Sequence, residues 1–407
     1  MPAMERKQYN ATIWLLGSLA AIGPFSIDMY LPGFPAIAVD LSTDMAHVGL
    51  TLTSYFVGIS VGQIAYGPLM DRFGRKKPLM LGLIVYIVAA LGCALSPSVS
   101  VLITLRFFLA LGGCVGMAGS RAVVRDLFSG REIARALSAL VMVFGVAPIV
   151  APTMGGLVVK TFGWRFIFVA LAAIGVAVLV ALSRFLRETK GEDTSISLHP
   201  KNVVVEYLRL FREPAFVTYA FVSAAAAGGF LAYISGSAFV YMKLFGFTET
   251  QFGWMYSANA VGLIAASQIN RFWLRMLDSA RILRIVAAIQ FCLVAVLFAL
   301  PLNEFIGTAG FIGLIFCYLF LFGFVNPNTM ALALHPFTRN AGSASALIGC
   351  IQMVGGASAS GLVSYLYNGT AMPMIWVMAG CTGVTLLVLG GSGLLMKGEP
   401  ENLAADI

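Results

Sequence analysis

The chain has 407 residues, of which 59% are hydrophobic and only 11% are charged. Soluble domains carry about 25% charged residues, so this composition excludes a soluble protein and places the chain in a lipid bilayer. The formal charge of +8 predicts no nucleic-acid-binding surface, because the basic residues are distributed as membrane topology requires.

Twelve segments are apolar and long enough to cross roughly 30 Å of hydrocarbon as helices. The expected spans are 11–31, 46–69, 78–96, 100–121, 135–159, 164–186, 214–241, 250–272, 281–300, 306–333, 341–366 and 372–396. The sequence therefore predicts an all-α polytopic membrane protein. Its expected parts are an N-terminal six-helix bundle at 1–187, a cytoplasmic linker at 188–213 and a C-terminal six-helix bundle at 214–407.

Lysine and arginine residues are concentrated on one side of the predicted membrane. With the N-terminus in the cytoplasm, the cytoplasmic segments hold 22 of the 26 basic residues. Cytoplasmic loops retain positive charge during insertion, so both termini are expected to face the cytoplasm. The remaining basic residues are Lys160, Arg165 and Lys243 on the opposite side and Arg106 within the fourth span.

Asp28 lies in the first span, in the run Gly23-Pro-Phe-Ser-Ile-Asp-Met-Tyr-Leu-Pro32. It is the only carboxylate that the expected boundaries place inside a span. Acidic side chains in hydrocarbon are costly and are functional by default. We therefore predict that Asp28 is a proton acceptor within the membrane, which favours transport coupled to protons.

The loop after the second span reads Gly67-Pro-Leu-Met-Asp71-Arg72-Phe-Gly74-Arg75-Lys76-Lys77. Glycines permit close backbone approach and a tight turn. The aspartate can meet a helix N-terminus or an arginine at the boundary between the halves. The alternative is a basic loop that only sets topology, although basic charge alone would not require this pattern.

Arg106 lies about five residues into the fourth span, roughly 8 Å deep at 1.5 Å per residue, near the expected depth of Asp28. A nearby guanidinium would favour the carboxylate, whereas burial would favour the neutral acid. We predict an ion pair between the two residues that controls proton coupling. The alternative is that the charges only neutralise each other and hold the helices together.

The chain lacks the residue patterns of nucleotide or metal chemistry. It has no G-x-x-x-x-G-K-[ST] loop for nucleotide phosphates, and its three histidines are scattered. We therefore expect no cofactor, no metal site and no enzymatic activity, with a proton gradient as the energy source.

The loop at 67–77 resembles the G-x-x-x-D-R-x-G-R-[RK] motif of the major facilitator superfamily. Other runs resemble the Bcr/CflA branch of drug–proton antiporters, the bicyclomycin and chloramphenicol resistance type. These runs are Ser26-Ile-Asp-Met-Tyr-Leu-Pro32, Leu52-Thr-Ser-Tyr55, Gly62-Gln63-Ile-Ala-Tyr-Gly67-Pro68, Arg106-Phe-Phe and Phe239-Val-Tyr241. The resemblance implies the major facilitator fold in the bacterial inner membrane, with twelve transmembrane helices in two six-helix bundles around a central cavity.

The resemblance also assigns a conformational role to charges at the ends of the second and fourth spans. The residues concerned are Gly67, Asp71, Arg72, Gly74, Arg75 and Asp126. In the family such charges meet one another, which implies a latch that is closed only in the outward-facing state. The alternative is a solvated rim, because exposed ion pairs contribute little.

The fifth span is similar to the family's antiporter motif, G-x-x-x-G-P-x-x-G-G. Pro152, Gly155 and Gly156 fit this motif, whereas Ala147 and Ala151 replace its two earlier glycines. Alanine still permits close helix contact, so a hinge or seal is expected at Pro148, Pro152, Gly155 and Gly156. The alternative is a plain proline kink with no directional meaning.

Four residues are predicted to line the substrate cavity. Tyr30, Tyr55 and Gln63 share segments with the recognised motifs, and Asn259 is a polar residue inside the second half. Aromatic and amide side chains suit a cavity for flat, drug-sized molecules.

Proton-coupled efflux of drug-like small molecules is the leading functional prediction, with a monomer as the default state. A second possibility is a proton-coupled transporter of a physiological metabolite such as a nucleoside, amino acid or dipeptide, because fold does not fix cargo or direction. A non-transporting receptor or channel is a third possibility, but the two six-helix halves do not suggest it.

Overall fold

In the computed structural model of the chain, residues 6–128, 131–193, 207–299, 307–337 and 341–395 are described. Within these ranges every regular element is helical. Both ends of the chain, linker residues 194–206, and the expected span ends at 300, 306 and 396 lie outside the described residues.

The first half contains eight helices. They are α1 (Arg6–Asp28), α2 (Phe34–Asp40), α3 (Met45–Phe73), α4 (Lys76–Ala94), α5 (Val99–Gly113), α6 (Val115–Leu127), α7 (Arg131–Phe162) and α8 (Arg165–Phe185). The described part of the second half contains six long α-helices, the first of which continues into a π-helical turn at Phe239–Leu244. They are α9 (Pro214–Ala238), α10 (Glu249–Trp273), α11 (Ser279–Ala299), α12 (Gly307–Leu334), α13 (Ala341–Tyr365) and α14 (Met372–Leu395).

The first span is longer than expected and is interrupted after Asp28. A single 3-10 turn at Leu31–Gly33 and the short helix α2 extend the span to Asp40. Pro32 lies in the first turn of the 3-10 element and Pro35 in that of α2. Proline fits the first turn of a helix but not its interior, so helix α1 ends and new helical turns begin here. Asp28 is therefore the last residue of α1.

Each of the twelve expected spans corresponds to a long helical segment, with α5 and α6 forming one span. Among the described residues, eleven helices are both long and apolar enough to cross a membrane. Helix α10, with 25 residues, is long enough, but it carries Asn259, Gln268 and Asn270. Its polar residues include groups that face the first half, and they lower its mean hydropathy.

Two pairs of helices make most of the contact between the halves, α3 with α13 and α7 with α10. We call the end of the molecule where α3 ends and α13 begins the linker side, and the other end the far side. One buried apolar cluster continues from the first half into the second, including Tyr30 and Tyr241. The apolar cluster containing Phe216 and Ala333 is separate and belongs to the second half alone. The fold is an all-α bundle pair with continuous packing toward the far side.

Candidate functional site

A cavity of about 780 Å³ lies between the two halves. Its walls include the linker-side ends of α3 and α6 and the first turns of α13, so the cavity opens toward the linker side. The cavity is lined by charged, amide and aromatic side chains, which include Gln63, Asp71, Arg75, Arg121, Arg125, Asp126, Phe230, Phe322 and Gln352. A site accessible from one end and lined by both halves can hold a small molecule.

The far side is closed by close backbone contact. A Cβ atom at Gly155 of α7 would overlap the carbonyl oxygen of Met29, and one at Gly156 would lie 2.7 Å from the carbonyl oxygen of Glu249. In return, a Cβ at Gly253 of α10 would lie 3.0 Å from the carbonyl oxygen of Pro152. Only glycine permits these approaches. Gly155 packs against Met29 within the first half, whereas Gly156 and Gly253 pack across the two halves and form a seal between them.

Both prolines of the predicted hinge lie inside α7, which remains helical from Arg131 to Phe162. Proline lacks the N–H that would bond to the preceding turn, so carbonyl groups near it need other partners. The Ser257 hydroxyl of α10 donates to the carbonyl oxygen of Ile149 and lies 3.3 Å from the Thr153 hydroxyl. The proline segment therefore contacts the second half through polar atoms as well as through glycines.

Asp28 lies at this closed far side and bridges the halves. Its side chain is buried, with 4% exposure, and it accepts a hydrogen bond of 2.8 Å from the Tyr256 hydroxyl of α10. The Tyr256 ring stacks on Tyr233, whose hydroxyl accepts a 2.8 Å hydrogen bond from Asn259. A hydrogen bond, a stacked ring pair and a second hydrogen bond therefore connect the acid to the interior of the second half.

The predicted ion pair between Asp28 and Arg106 is wrong for this structure. The Arg106 guanidinium is fully buried, and its carbon lies 4.3 Å from the ring centroids of both Tyr30 and Tyr55. It donates a 2.9 Å hydrogen bond to the carbonyl oxygen of Ser26. Because two aromatic rings cover the faces of the guanidinium and α1 ends at Asp28, the acid meets the second half instead.

Three of the four predicted cavity residues lie elsewhere. Tyr30 and Tyr55 are fully buried around Arg106, with the Tyr30 hydroxyl 2.8 Å from that of Thr51. Asn259 is buried against Tyr233. Of the four, only Gln63 lines the cavity. Phe230 and Phe322, which stack with their centroids 4.7 Å apart, are the aromatic wall that the sequence did not distinguish.

The charged residues at the ends of α3 and α6 do meet. The Arg75 guanidinium lies 2.9 Å from Asp71 and 2.7 Å from Asp126. This network is formed while the cavity is open on the same side, which contradicts a latch that closes only in the outward-facing state. The reason is that all three residues belong to the first half, so their contacts do not require the halves to close.

The start of the linker is part of this network, which the sequence reasoning missed. Lys190 lies 2.8 Å from Asp71, and the Thr189 hydroxyl donates a 3.0 Å hydrogen bond to Asp126. The Glu188 carboxylate accepts from the backbone N–H groups of Arg75 and Lys76, at 2.6 and 3.0 Å. We call Glu188, Thr189 and Lys190 the linker clip. The acidic and basic residues after the sixth span were the only sequence signal for it.

Burial of Glu188 opposes its charge, but the backbone N–H groups of Arg75, Lys76, Lys190 and Thr189 outweigh this and lower the pKa of its carboxyl. A lowered pKa means that the folded state favours the carboxylate. The clip's contribution to stability is therefore present above the ordinary pKa of a glutamate and is lost as the pH falls through the lowered value.

The backbone conformation and the close neighbours of Gly74 require a glycine, whereas the surroundings of Gly67 leave room for a side chain. Gly74 has φ of +80° and a Cβ there would lie 2.8 Å from the Glu188 carboxylate. At Gly67 a Cβ would meet nothing within 4 Å, so the predicted close approach is absent there. Arg72 contributes its carbonyl oxygen, which accepts a 3.0 Å hydrogen bond from the Asp193 N–H.

Replacing Gly74 with Ala is expected to lower the free energy of unfolding by about 1–3 kcal/mol, because the backbone conformation is strained for alanine and the linker clip must move. Gly67→Ala is the matched control and should leave stability unchanged or slightly raised, since alanine favours the helix. Thermal unfolding of the purified protein in detergent measures both. Equal losses in the two variants would contradict the role of Gly74.

Sequence reasoning also missed Tyr256 and Ser257 as contacts of the first half. The only available signal was that the eighth span is the most polar of the twelve, which suggests a helix with a protein-facing polar surface. The partners themselves lie 228 residues from Asp28 and 108 residues from Ile149 along the chain.

Comparison with known proteins supports this architecture. The chain is 33% identical over 393 residues to a bicyclomycin resistance protein homolog of Haemophilus influenzae, covering 94% of this chain and 96% of the relative. It is 27% identical over 372 residues to the multidrug resistance protein MdtL of Escherichia coli, covering 91% and 93%.

A solved structure has the same fold at low sequence identity. It is a bacterial homolog of the human lysosomal transporter Spinster in an inward-facing and occupied conformation, with a TM-score of 0.74, 15% identity, and coverage of 96% of this chain and 97% of that one. The model of the Major Facilitator Superfamily matches residues 16–360. This match agrees with the two joined six-helix halves and the cavity between them. The chain is therefore a multi-pass membrane protein that belongs to the Major Facilitator Superfamily.

Proposed function

We propose that the protein exports drug-like small molecules in exchange for protons. The observation that carries the proposal is the combination of a one-sided cavity with a buried acid at its closed far side, where Asp28 joins the halves through Tyr256. The relatives named for bicyclomycin and multidrug resistance support drugs as the cargo.

The linker side faces the cytoplasm in this proposal. The basic residues of the loop Arg72–Lys77 and the α6 end lie there, and positive charge marks cytoplasmic segments. Both termini then lie in the cytoplasm of a bacterial cell, the protein spans the inner membrane, and the cavity is in its inward-facing state. The protein works as a monomer built of two bundles, 1–187 and 214–407, joined by the linker 188–213.

Coupling follows from a change in what surrounds Asp28. In the inward-facing state the seal and Tyr256 shield the acid from water. When the halves rock apart on the far side, the hydrogen bond to Tyr256 breaks and external water reaches the carboxyl. Solvation and hydrogen bonding set proton affinity, so the acid takes up one proton from external water when the far side opens. When the far side closes, Tyr256 again donates to the carboxylate, and the proton leaves toward the linker-side cavity, which completes one exchange per cycle. Arg106 contributes by holding Ser26, and with it the end of α1, in place.

Replacing Tyr256 with Phe removes the one cross-half hydrogen bond that the described residues supply to Asp28. A hydrogen bond to a charged group is worth about 1.5–3 kcal/mol. We expect at least tenfold slower drug export and a shifted pH dependence, measured as drug flux in proteoliposomes at several values of pH.

The matched control is Tyr318→Phe, which removes another buried hydroxyl of the second half, 3.4 Å from Thr382. This variant should change neither the rate of drug export nor its dependence on pH. A Tyr256→Phe variant with the wild-type pH profile would remove Tyr256 from the coupling proposal.

Transport of a physiological metabolite is the second candidate, because the same cavity does not fix its cargo. Purified protein in proteoliposomes should accumulate or expel chloramphenicol only when a proton gradient is imposed, with matching proton movement. Nucleosides, amino acids and dipeptides are screened in the same assay. Proton-coupled movement of one of these without drug transport would favour the second candidate.

A further inference from the structure

Two arginines in the cavity wall have no charged partner within the described part of the chain. Arg121 and Arg125 lie one turn apart on α6, and both line the cavity with exposed side chains. Among the residues that the structure describes, no hydrogen bond or ion pair engages either guanidinium. Like charges four residues apart destabilise a helix, so the pair is not explained by local stability.

The neighbouring acids are already occupied. Asp126 is bound by Arg75 and the Thr189 hydroxyl, and Asp71 by Arg75 and Lys190. The remaining positive charge therefore faces the cavity. Arg121 is six residues from the end of α6, or roughly 9 Å inside the span, which is deeper than a residue that only marks topology needs to be.

The opposite wall adds to the positive potential. Gly342 lies in the first turn of α13, and the Arg125 Nη1 atom lies 3.0 Å from the place that a Cβ atom would take there. The N-terminus of a helix carries a partial positive charge and attracts anions. Two guanidinium groups and a helix start therefore meet at one part of the cavity, and the described residues supply no available carboxylate there.

The same cavity has an apolar wall. Phe230 and Phe322 stack with an interplanar angle of 8°, and both line the cavity from the second half. A flat apolar body can pack against these rings. Gln63 and Gln352 supply amide groups that can hydrogen-bond to polar parts of a ligand.

We propose that the cavity binds aromatic small molecules that carry a carboxylate, with the anionic group held by Arg121 and Arg125. The inference rests on the proposed export function and specifies its cargo class. The same charges repel cationic molecules, so the cavity discriminates by charge as well as by shape. The arginines bind the cargo while Asp28, on the far side, handles the proton.

Equilibrium dialysis with the full-length protein in detergent tests the proposal with three probes that share one ring system. They are 2-naphthoate, 2-naphthamide and 2-naphthylmethylammonium. We expect the anion to bind roughly tenfold more tightly than the amide, and the cation more weakly than the amide. Arg121→Ala should remove the preference for the anion while keeping amide binding, and Arg121→Lys should retain part of it.

Arg184→Ala is the matched control, because Arg184 is an exposed basic residue at the end of α8 and does not line the cavity. It should leave all three affinities unchanged. Equal binding of anion and amide by the wild-type protein, or no measurable binding of either, overturns the proposal. So does an anion preference that survives in both Arg121→Ala and Arg125→Ala.

The binding assay uses no gradient, so its failure is separable from failure of proton-coupled export. A protein that exports chloramphenicol when a proton gradient is imposed but shows no anion preference would refute the cargo class alone. Loss of gradient-driven export with an intact anion preference would refute the antiport proposal and leave the anion site standing.

Discussion

Asp28→Asn is expected to abolish proton-driven export while leaving a folded, membrane-inserted protein. The amide can still accept the hydrogen bond that Tyr256 donates, so the contact between the halves is kept. It cannot take up and release a proton. The variant should therefore equilibrate its cargo passively or not move it at all.

The size of the effect follows from the energy of one proton. The membrane potential supplies about 2.3 kcal/mol per charge per 100 mV, which sustains roughly a fifty-fold gradient of a neutral drug exchanged for one proton. Proteoliposomes with an imposed potential of this size should reach such a gradient with the wild-type protein. With Asp28→Asn the gradient should fall to about one.

Asp44→Asn is the matched control for this experiment. Asp44 is the N-cap of α3, where its carboxylate accepts a 2.8 Å hydrogen bond from the His47 N–H, and its side chain is exposed. Asparagine caps a helix as well as aspartate does, so this variant should transport normally. Full active transport by Asp28→Asn would show that the proton is carried elsewhere.

The sequence was a good guide to features that depend on local composition. Hydropathy alone located twelve helical segments, because a helix in a bilayer must be apolar over its whole length. The isolated acid at position 28 and the glycine and charge pattern at 67–77 were recognisable for the same reason, since each is unusual for its surroundings. None of these features depends on knowing which way a helix faces.

The direction of side chains was the part that the sequence did not provide. Hydropathy predicts that a helix spans the membrane, but it does not predict how the helix is rotated about its own axis. Tyr30 and Tyr55 were therefore assigned to the cavity, although they enclose Arg106, and Asp28 was paired with Arg106 instead of Tyr256. Contacts over such long separations depend on how the halves dock.

The linker clip shows the same limit in a connecting segment. Its residues were expected to be a polar connector, yet Glu188 binds the N–H groups at the start of α4 and Lys190 binds Asp71. The backbone amides at a helix start lack partners within the helix, so a nearby carboxylate is favoured there. Which carboxylate fills this place depends on where α8 ends in space.

Replacing Gly156 with Ala should hold the far side open and slow export at least tenfold. The added methyl group would lie 2.7 Å from the carbonyl oxygen of Glu249 in the second half, a backbone atom that no change of rotamer can move. Overpacking of this kind costs about 1–3 kcal/mol, and the cost applies only when the far side is closed. The balance between the two states should shift by about 5- to 150-fold toward the outward-facing state.

Spin labels at Leu95 and Tyr365 can report this shift, because both side chains are highly exposed and lie at far-side helix ends in opposite halves. In a background lacking the six native cysteines, pulsed electron paramagnetic resonance should show a longer distance for Gly156→Ala. Gly145→Ala, on the same helix, is the control, since its Cβ would lie 3.4 Å from the Ile264 side chain, an ordinary contact. Unchanged distances together with normal export in Gly156→Ala would mean that the glycine contact is not what closes the far side.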